Sequence, residues 1–258
     1  MSQTRHRPFI ERSGAGEAVL FIHGTVISGR GTWRAQRPLS ARWQVQVLER
    51  RGYPPNPAVD REDFGEDAED VKAPLLAAPA HLVAHSYGAV GALLAAADAP
   101  GRVRSLTVVE PPVFGPAIGN PEVDAFVRRM DVLFREGPLD AGEFVRVFTR
   151  ELGMGSLPAE LPPEVLRNAP LLRRQRVPWG AEIPLVAVAQ APWPKLVISG
   201  GHHAAFDAAC RELADRANAS LITLTGRGHS PQQLGEEFNM LLEKSLRGES
   251  LPSAKRRS

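Results

Sequence analysis

The hydrophobic positions of this chain fall into short runs in the first part of the sequence and again near its end. Continuous apolar runs bounded by turn residues are typical of strands buried on both faces. An alternation of polar and apolar residues also predicts a strand. The predicted strands are Arg7–Arg12, Ala18–Ile22, Gln44–Leu48, Leu82–Ala84, Val103–Val109, Leu196–Ser199 and Ser220–Thr225.

Segments of helical character lie between these strands. Their alternation with the strands predicts an α/β sheet protein. The predicted helices are Thr32–Trp43 with a break at Pro38, Asp63–Ala78, Ala89–Ala97, Ala204–Ala217 and Gln232–Leu246.

The alternation stops between residues 112 and 194. In this stretch apolar residues recur at helical spacing, as Val123, Phe126, Val127 and Met130 do. The pattern predicts a segment without strands, inserted into a core made of residues 1–111 and 195–258. Its predicted helices are Glu122–Glu136, Asp140–Leu152 and Pro163–Arg174.

Length and charge narrow the functional classes. A chain of 258 residues with 43% hydrophobic content can bury one large core, and an α/β fold of this size remains a single domain. The formal net charge is +2, and basic residues gather at the ends, in Arg5–Arg7 and Lys255–Arg257. We interpret both groups as solvated tails, so no nucleic-acid partner is expected.

Cysteine usage and hydropathy bear on the compartment. The single cysteine, Cys210, excludes an internal disulfide framework and fits a reducing cytoplasm. Residues 1–12 lack the apolar stretch of a secretion signal, and no run of about eighteen apolar residues occurs. The expectation is a cytoplasmic protein without a membrane partner.

One strand ends just before a serine, and a helix follows at once. The order is Leu82–Ala84, then Ser86, then an Ala- and Leu-rich segment. Such a turn lifts the middle side chain out of the sheet and requires small residues two positions away on either side. Ala84 and Gly88 meet this requirement. The same pattern also fits a serine that merely caps the next helix.

The segment Ala84-His85-Ser86-Tyr87-Gly88 resembles the nucleophile elbow G-x-S-x-G of the α/β-hydrolase superfamily, with alanine in place of the first glycine. Alanine satisfies the same need for close packing. The resemblance implies Ser86 as the nucleophile of a capped, esterase- or lipase-like member. It also implies a mostly parallel central sheet flanked by helices, with a helical cap inserted after the sixth strand.

The segment His23-Gly24-Thr25 after the strand Ala18–Ile22 is a second point of resemblance. In α/β-hydrolases the loop at this place and the residue after the nucleophile each supply one backbone N–H of the oxyanion hole. Carried over by position, these donors are Thr25 and Tyr87. Taken alone, His23-Gly24 also fits an ordinary turn.

The third resemblance is a histidine, His229, on a glycine-flanked loop after the last strand. It corresponds to the family's catalytic base. The turn Gly200–His203, where many relatives carry the catalytic aspartate, has no acidic residue. Two acids remain as alternatives: Glu110, at the end of the preceding strand, and Asp207, inside a predicted helix. We favour Glu110 because haloalkane-dehalogenase-like members place their acid after that strand.

Serine is a poor nucleophile unless a neutral imidazole removes its proton and an acid orients that imidazole. The predicted function is therefore that of a serine hydrolase, which cleaves a carboxylic ester, thioester or lactone of a small molecule through an acyl-enzyme. No cofactor is expected. The same three residue types also support carbon–carbon bond hydrolysis and cofactor-free perhydrolysis. A hydrolase-fold protein that binds a ligand without turnover is a further alternative. The sequence leaves open whether the protein forms a homodimer.

The helical segment 112–194 resembles the cap that supplies most of the substrate wall in this superfamily. Candidate substrate-binding residues are Trp33, Phe114, Met154 and Trp179, each of which also fits a core position.

No metal site is expected. The carboxylates Asp63, Glu66, Asp67, Glu69 and Asp70 lack His or Cys companions, so we interpret them as a solvated helix face. The adjacent His202 and His203 cannot both point inward from one turn, and a metal there would require further ligands.

Overall fold

The computed structural model describes residues 6–251, and within that range seven strands form one sheet. The strands are β1 (Ile10–Ser13), β2 (Ala18–Ile22), β3 (Gln44–Leu48), β4 (Ala80–His85), β5 (Val103–Val109), β6 (Lys195–Ser199) and β7 (Ser220–Thr223). Their order across the sheet is β1-β3-β2-β4-β5-β6-β7. β1 pairs antiparallel with β3, and the other neighbouring pairs are parallel. The predicted α/β fold with a mostly parallel sheet is confirmed.

Helices occupy both faces of the sheet, and side-chain caps mark where several of them begin. The Asp63 side chain accepts from Gly65 N, and the Asp140 side chain accepts from Glu143 N. The helices are α1 (Gly29–Thr32), α2 (Phe64–Ala77), α3 (Tyr87–Asp98), α4 (Pro121–Glu136), α5 (Ala141–Glu151), α6 (Pro163–Arg173), α7 (Leu185–Gln190), α8 (Ala204–Ala217) and α9 (Glu236–Leu246).

The two faces of the sheet divide the side chains of each strand between two cores. In β2, Leu20 and Ile22 pack with residues of α2, α3 and α8. Val19 and Phe21 point to the opposite face and pack with α9 and with the segment that precedes β3. This alternation follows from the period of two along a strand. Because both faces are covered, the strand reads as a continuous apolar run.

Three local predictions were wrong in detail. The predicted helix Thr32–Trp43 divides into α1 and a 3₁₀ segment, Arg34–Ala41, which contains Pro38. The C-terminal helix begins at Glu236, because Pro231–Leu234 forms a 3₁₀ turn instead. α7 was not predicted, since six residues are too few to show a helical period.

Helices α4, α5 and α6 lie between β5 and β6 and have a hydrophobic core of their own. Phe126, Phe144 and Val165 belong to it, together with Phe206 of α8. Phe206 attaches the segment to the sheet, since its ring lies 5.6 Å from that of Phe126. Within the described residues five strands precede this segment, where the resemblance implied six.

Among the described helices, none combines the length and apolar character needed to cross a bilayer. Cys210 is a free, buried thiol in α8. Of the predicted basic tails, Arg5 and Lys255–Arg257 lie outside the described residues.

Candidate active site

Ser86 stands alone between β4 and α3 in a backbone conformation that L-residues avoid. Its φ is 50° and its ψ is −129°. Its N–H donates to Val109 O of the neighbouring strand at 2.8 Å. Strained backbone of this kind persists only where the surrounding structure fixes it, and it concentrates at functional sites.

Two glycines allow the backbone to approach this turn closely. A Cβ on Gly88 would lie 2.2 Å from the carbonyl oxygen of His23, so only glycine lets α3 meet the end of β2. A Cβ on Gly24 would lie 2.9 Å from Cβ of Ser86. Glycine at both positions is therefore a steric requirement of the turn.

The fold brings three predicted residues, far apart in sequence, into one hydrogen-bonded chain. His229 Nδ1 lies 3.1 Å from Glu110 Oε2, and His229 Nε2 lies 2.9 Å from Ser86 Oγ. Because a carboxylate only accepts, Nδ1 donates and the neutral ring leaves Nε2 as an acceptor for the serine hydroxyl. The exposed fractions are 8% for Ser86, 3% for His229 and 0% for Glu110.

Glu110 rather than Asp207 reaches the histidine. Glu110 follows β5 with a φ of 50°, and its carboxylate also accepts from Gly200 N. Asp207 instead accepts from the hydroxyl of Ser199. Burial raises the pKa of Glu110, and the hydrogen bond from Gly200 opposes that rise. The geometry thus favours Glu110 between the two acids that the sequence left open.

Burial also lowers the pKa of two histidines at the site. It lowers the pKa of His229 to about 3, with His202 and His203 contributing in the same direction. His85 has its pKa lowered to about 3, again mainly by burial. Its Nε2 donates to the carbonyl oxygen of His229 at 2.8 Å, which holds the backbone of the histidine loop. Sequence reasoning assigned His85 no role.

The two residues predicted to supply the oxyanion donors, Thr25 and Tyr87, lie beside Ser86. Thr25, Ser86 and Tyr87 line one small cavity together. Within the described residues, neither the Thr25 nor the Tyr87 N–H donates to another group of the protein. The next N–H, that of Val26, donates to Tyr53 Oη at 2.9 Å, and Val26 has a φ of 72°.

A model of the "Alpha/beta hydrolase family" matches residues 19–240. The chain belongs to the α/β-hydrolase family. A structure of an alpha/beta hydrolase from Sphaerobacter thermophilus is 26% identical, with a TM-score of 0.65, and covers 90% of this chain and 95% of its own.

Two curated relatives match parts of this α/β-hydrolase. Pimeloyl-[acyl-carrier protein] methyl ester esterase of Methylococcus capsulatus is 40% identical over 105 residues, 39% of this chain and 39% of its own length. The 2-(acetamidomethylene)succinate hydrolase of Mesorhizobium japonicum is 28% identical over 126 residues, 47% of this chain and 44% of its own length. The matches thus span less than half of either relative.

A cavity of about 320 Å³ opens beside Ser86 and His229. Phe148 and Leu152 of the helical segment line it, together with Thr32 and Gln233 of the core. Among the described residues that line it, none is Lys, Arg, Asp or Glu. An uncharged, largely apolar group fits such a space best, because an unpaired charge is costly to desolvate.

The structure separates the four candidate substrate-binding residues. Met154 lines the larger cavity, while Phe114 and Trp179 line the smaller one with Ser86. Trp33 lines neither of these. It packs against the ring of Phe21 at 5.0 Å in the core, so its placement in the substrate wall was wrong.

The acidic front of α2 was also misread. Of the five carboxylates predicted to face solvent, Asp63, Asp67 and Asp70 are buried, and only Glu66 and Glu69 are exposed. Arg50 Nε donates to Asp67 at 2.9 Å, and Arg51 Nε donates to Asp70 at 2.7 Å. Arg50 and Arg51 follow β3 and are separated from α2 by a long loop. The periodicity of the helix sequence therefore could not predict that they pair with its carboxylates.

Proposed function

We propose that this protein is a serine hydrolase that cleaves a carboxylic ester, thioester or lactone of a small molecule through an acyl-enzyme. The observation that carries the proposal is the continuous chain of hydrogen bonds from Ser86 Oγ through His229 to Glu110. Family membership and the printed names of the curated relatives, an esterase and a hydrolase, point in the same direction.

In this mechanism Ser86 Oγ attacks the carbonyl carbon while His229 Nε2 takes the hydroxyl proton. Glu110 holds the ring in the required tautomer and stabilises the imidazolium that forms. His229 then gives the proton to the leaving alcohol or thiol, and the acyl group stays on Ser86. Water, deprotonated by the same imidazole, hydrolyses the acyl-enzyme and restores the hydroxyl.

The oxyanion of each tetrahedral intermediate is assigned to the N–H groups of Thr25 and Tyr87. One such donor contributes about 2.7 to 4 kcal/mol to transition-state stabilisation. The donors are fixed before reaction, since Thr25 precedes the residue that Tyr53 holds and Tyr87 is the first residue of α3.

Residues 112–194 act as a cap in this proposal. α5 and α6 cover the cavity beside Ser86 and present mainly apolar side chains to it. The favoured substrate therefore carries an uncharged acyl group of moderate length, and the cap limits access of water to the acyl-enzyme.

The proposal is tested with a serine-reactive fluorophosphonate and a series of p-nitrophenyl esters of increasing acyl length. Wild-type protein is expected to be labelled and to show a burst of nitrophenol, and Ser86→Ala to show neither. Ser230→Ala is the matched control, because Ser230 also lines the cavity but its hydroxyl makes no hydrogen bond to the His229 ring, whose partners among the described residues are Ser86 and Glu110. Labelling of Ser86→Ala would overturn the proposal, and turnover of diketones or peracid formation without ester cleavage would favour the other chemistries of the same triad.

A further inference from the structure

A second histidine, His202, faces the carboxylate that orients His229. Its Nε2 lies 3.0 Å from the carbonyl oxygen of Leu152, and because a carbonyl only accepts, Nε2 carries the proton. In the neutral ring Nδ1 is therefore a bare lone pair. It lies 3.6 Å from Glu110 Oε2, and the side chain is only 9% exposed.

This arrangement places two hydrogen-bond acceptors opposite each other in the protein interior. His202 Nδ1 has no hydrogen-bond partner among the described residues. Unpaired buried polar atoms are unfavourable, and a cation between the nitrogen and the carboxylate would satisfy both.

A third ligand atom lies at the same place. His229 Nδ1 is 3.1 Å from the same Glu110 Oε2. One possible metal-ligand atom from each of Glu110, His202 and His229 lies within 4.8 Å of the other two. Zn²⁺ binds imidazole nitrogen and carboxylate oxygen at about 2.0 to 2.2 Å in a tetrahedron, whose ligand atoms are about 3.3 to 3.6 Å apart. The two distances to Oε2 are close to that spacing.

We propose that Glu110, His202 and His229 form a binding site for a divalent transition-metal ion, with Zn²⁺ the best match. The sequence analysis predicted no metal at His202-His203 unless further ligands were present. The fold places two further ligands, Glu110 and His229, beside His202 but not beside His203. His203 is not part of the site, because its Nδ1 accepts from Ala205 N at 3.2 Å at the start of α8.

The bound metal would inhibit the hydrolase reaction, a consequence that rests on the proposed function. A metal at Nδ1 of neutral His229 replaces the proton there, so the ring proton must sit on Nε2. Nε2 then donates toward Ser86 Oγ and cannot remove its proton. The ion also occupies Glu110, and removal of the ion restores both groups.

Zn²⁺ binding is measured first, by calorimetric titration of untagged protein and independently of any activity. We expect one Zn²⁺ per wild-type chain and the same for Ser86→Ala and His203→Gln. His202→Gln should bind more than about tenfold more weakly, since loss of a mere outer-shell partner already costs 10- to 100-fold. His202→Ala is the second variant, and circular dichroism checks that each variant is folded.

Equal Zn²⁺ affinity in wild type and both His202 variants would overturn the proposal, as would no binding to the wild type at millimolar Zn²⁺ or loss of binding in His203→Gln. Inhibition of ester cleavage is measured next. We expect Zn²⁺ to inhibit wild type and His203→Gln, EDTA to reverse this, and His202→Gln to resist. If ester cleavage is absent altogether, the proposed function fails, while the titration still decides the metal site.

Discussion

Two buried polar clusters lie on opposite sides of Ser86, and they differ in how completely their groups are paired. In the first, Arg50 donates to Glu62 at 3.0 Å, to Asp67 at 2.9 Å and to Gly24 O at 2.9 Å. In the second, the hydrogen-bond donors to the Glu110 carboxylate among the described residues are His229 Nδ1 and the backbone N–H of Gly200. The first cluster thus contains a cation that pairs with both of its carboxylates, whereas among the described residues no Lys or Arg pairs with Glu110.

The two clusters differ accordingly in role: the Arg50 cluster holds the backbone in place, and the Glu110 cluster contains the groups that could react. The Arg50 cluster fixes the loop after β2 through Tyr53, whose hydroxyl donates to Glu62 and accepts from Val26 N. The Glu110 cluster keeps a base neutral and one ring nitrogen unpaired, which is an arrangement that can gain or lose a cation. A fully paired cluster stabilises one conformation, while an incompletely paired one remains reactive.

The largest expected effect concerns the second cluster. Glu110→Gln should lower kcat for ester cleavage by about 10⁴-fold, because the amide no longer fixes the tautomer of His229. Asp207→Asn is the matched control and should change kcat little, since Asp207 bonds to Ser199 instead. Steady-state kinetics on one ester measure both, and a larger loss in Asp207→Asn would reverse the choice of acid.

The next effect concerns the first cluster and stability. Arg50→Met leaves Glu62 and Asp67 buried without a countercharge, and should lower the free energy of unfolding by about 3 to 5 kcal/mol. Arg51→Met should cost less, nearer the roughly 1 kcal/mol of solvent-screened pairs, because Arg51 is partly exposed. Urea denaturation measures the two losses. Equal losses of unfolding free energy in the two variants would show that the Arg50 cluster stabilises the fold no more than the Arg51 pair does.

A smaller effect is expected where the first cluster supports the reaction. Tyr53→Phe removes the acceptor for Val26 N, which loosens the loop that presents the Thr25 N–H. We expect kcat to fall about tenfold with little change in KM, since an unmade buried hydrogen bond costs about 1 to 3 kcal/mol. Tyr87→Phe is the comparison, because the Tyr87 hydroxyl donates to the carbonyl oxygens of Arg176 at 2.9 Å and Glu62 at 3.4 Å and does not accept from Val26 N. A loss confined to KM would contradict the positioning role.

The sequence predicted the sheet well because buried parallel strands are continuous apolar runs. Ser86 follows such a strand at once, whereas Thr25 and His229, on the loops after β2 and β7, were predicted from the resemblance to α/β-hydrolases. The sequence could not predict the Arg50 cluster. Asp67 looks like any surface carboxylate of a helix until folding places Arg50 beside it. His202 was missed for the same reason, since its proximity to Glu110 joins the ends of two different strands.

Trp33 shows the opposite failure. Its position just after the β2 loop suggested a pocket wall, but α1 turns the side chain toward the sheet, where it packs against Phe21. The direction of the Trp33 side chain depends on α1, and four residues are too few to show a hydrophobic period that would predict which side of the helix faces the core.

The smallest expected effect is that of acid on the rate. The base must be neutral to accept the proton of Ser86, so activity exists above the pKa of His229 and is lost as pH falls through it. Burial lowers that pKa from 6.5 to about 3, which moves the acid limb of kcat/KM well below pH 6.5. Between pH 7 and pH 5 kcat/KM should therefore stay nearly constant, provided the free energy of unfolding, measured in the same buffers, shows the protein still folded. An acid limb centred near pH 6.5 would mean that His229 titrates like a solvated histidine, and the contrast between a cluster held together by an arginine and a desolvated one without a Lys or Arg partner would then fail at its most informative residue.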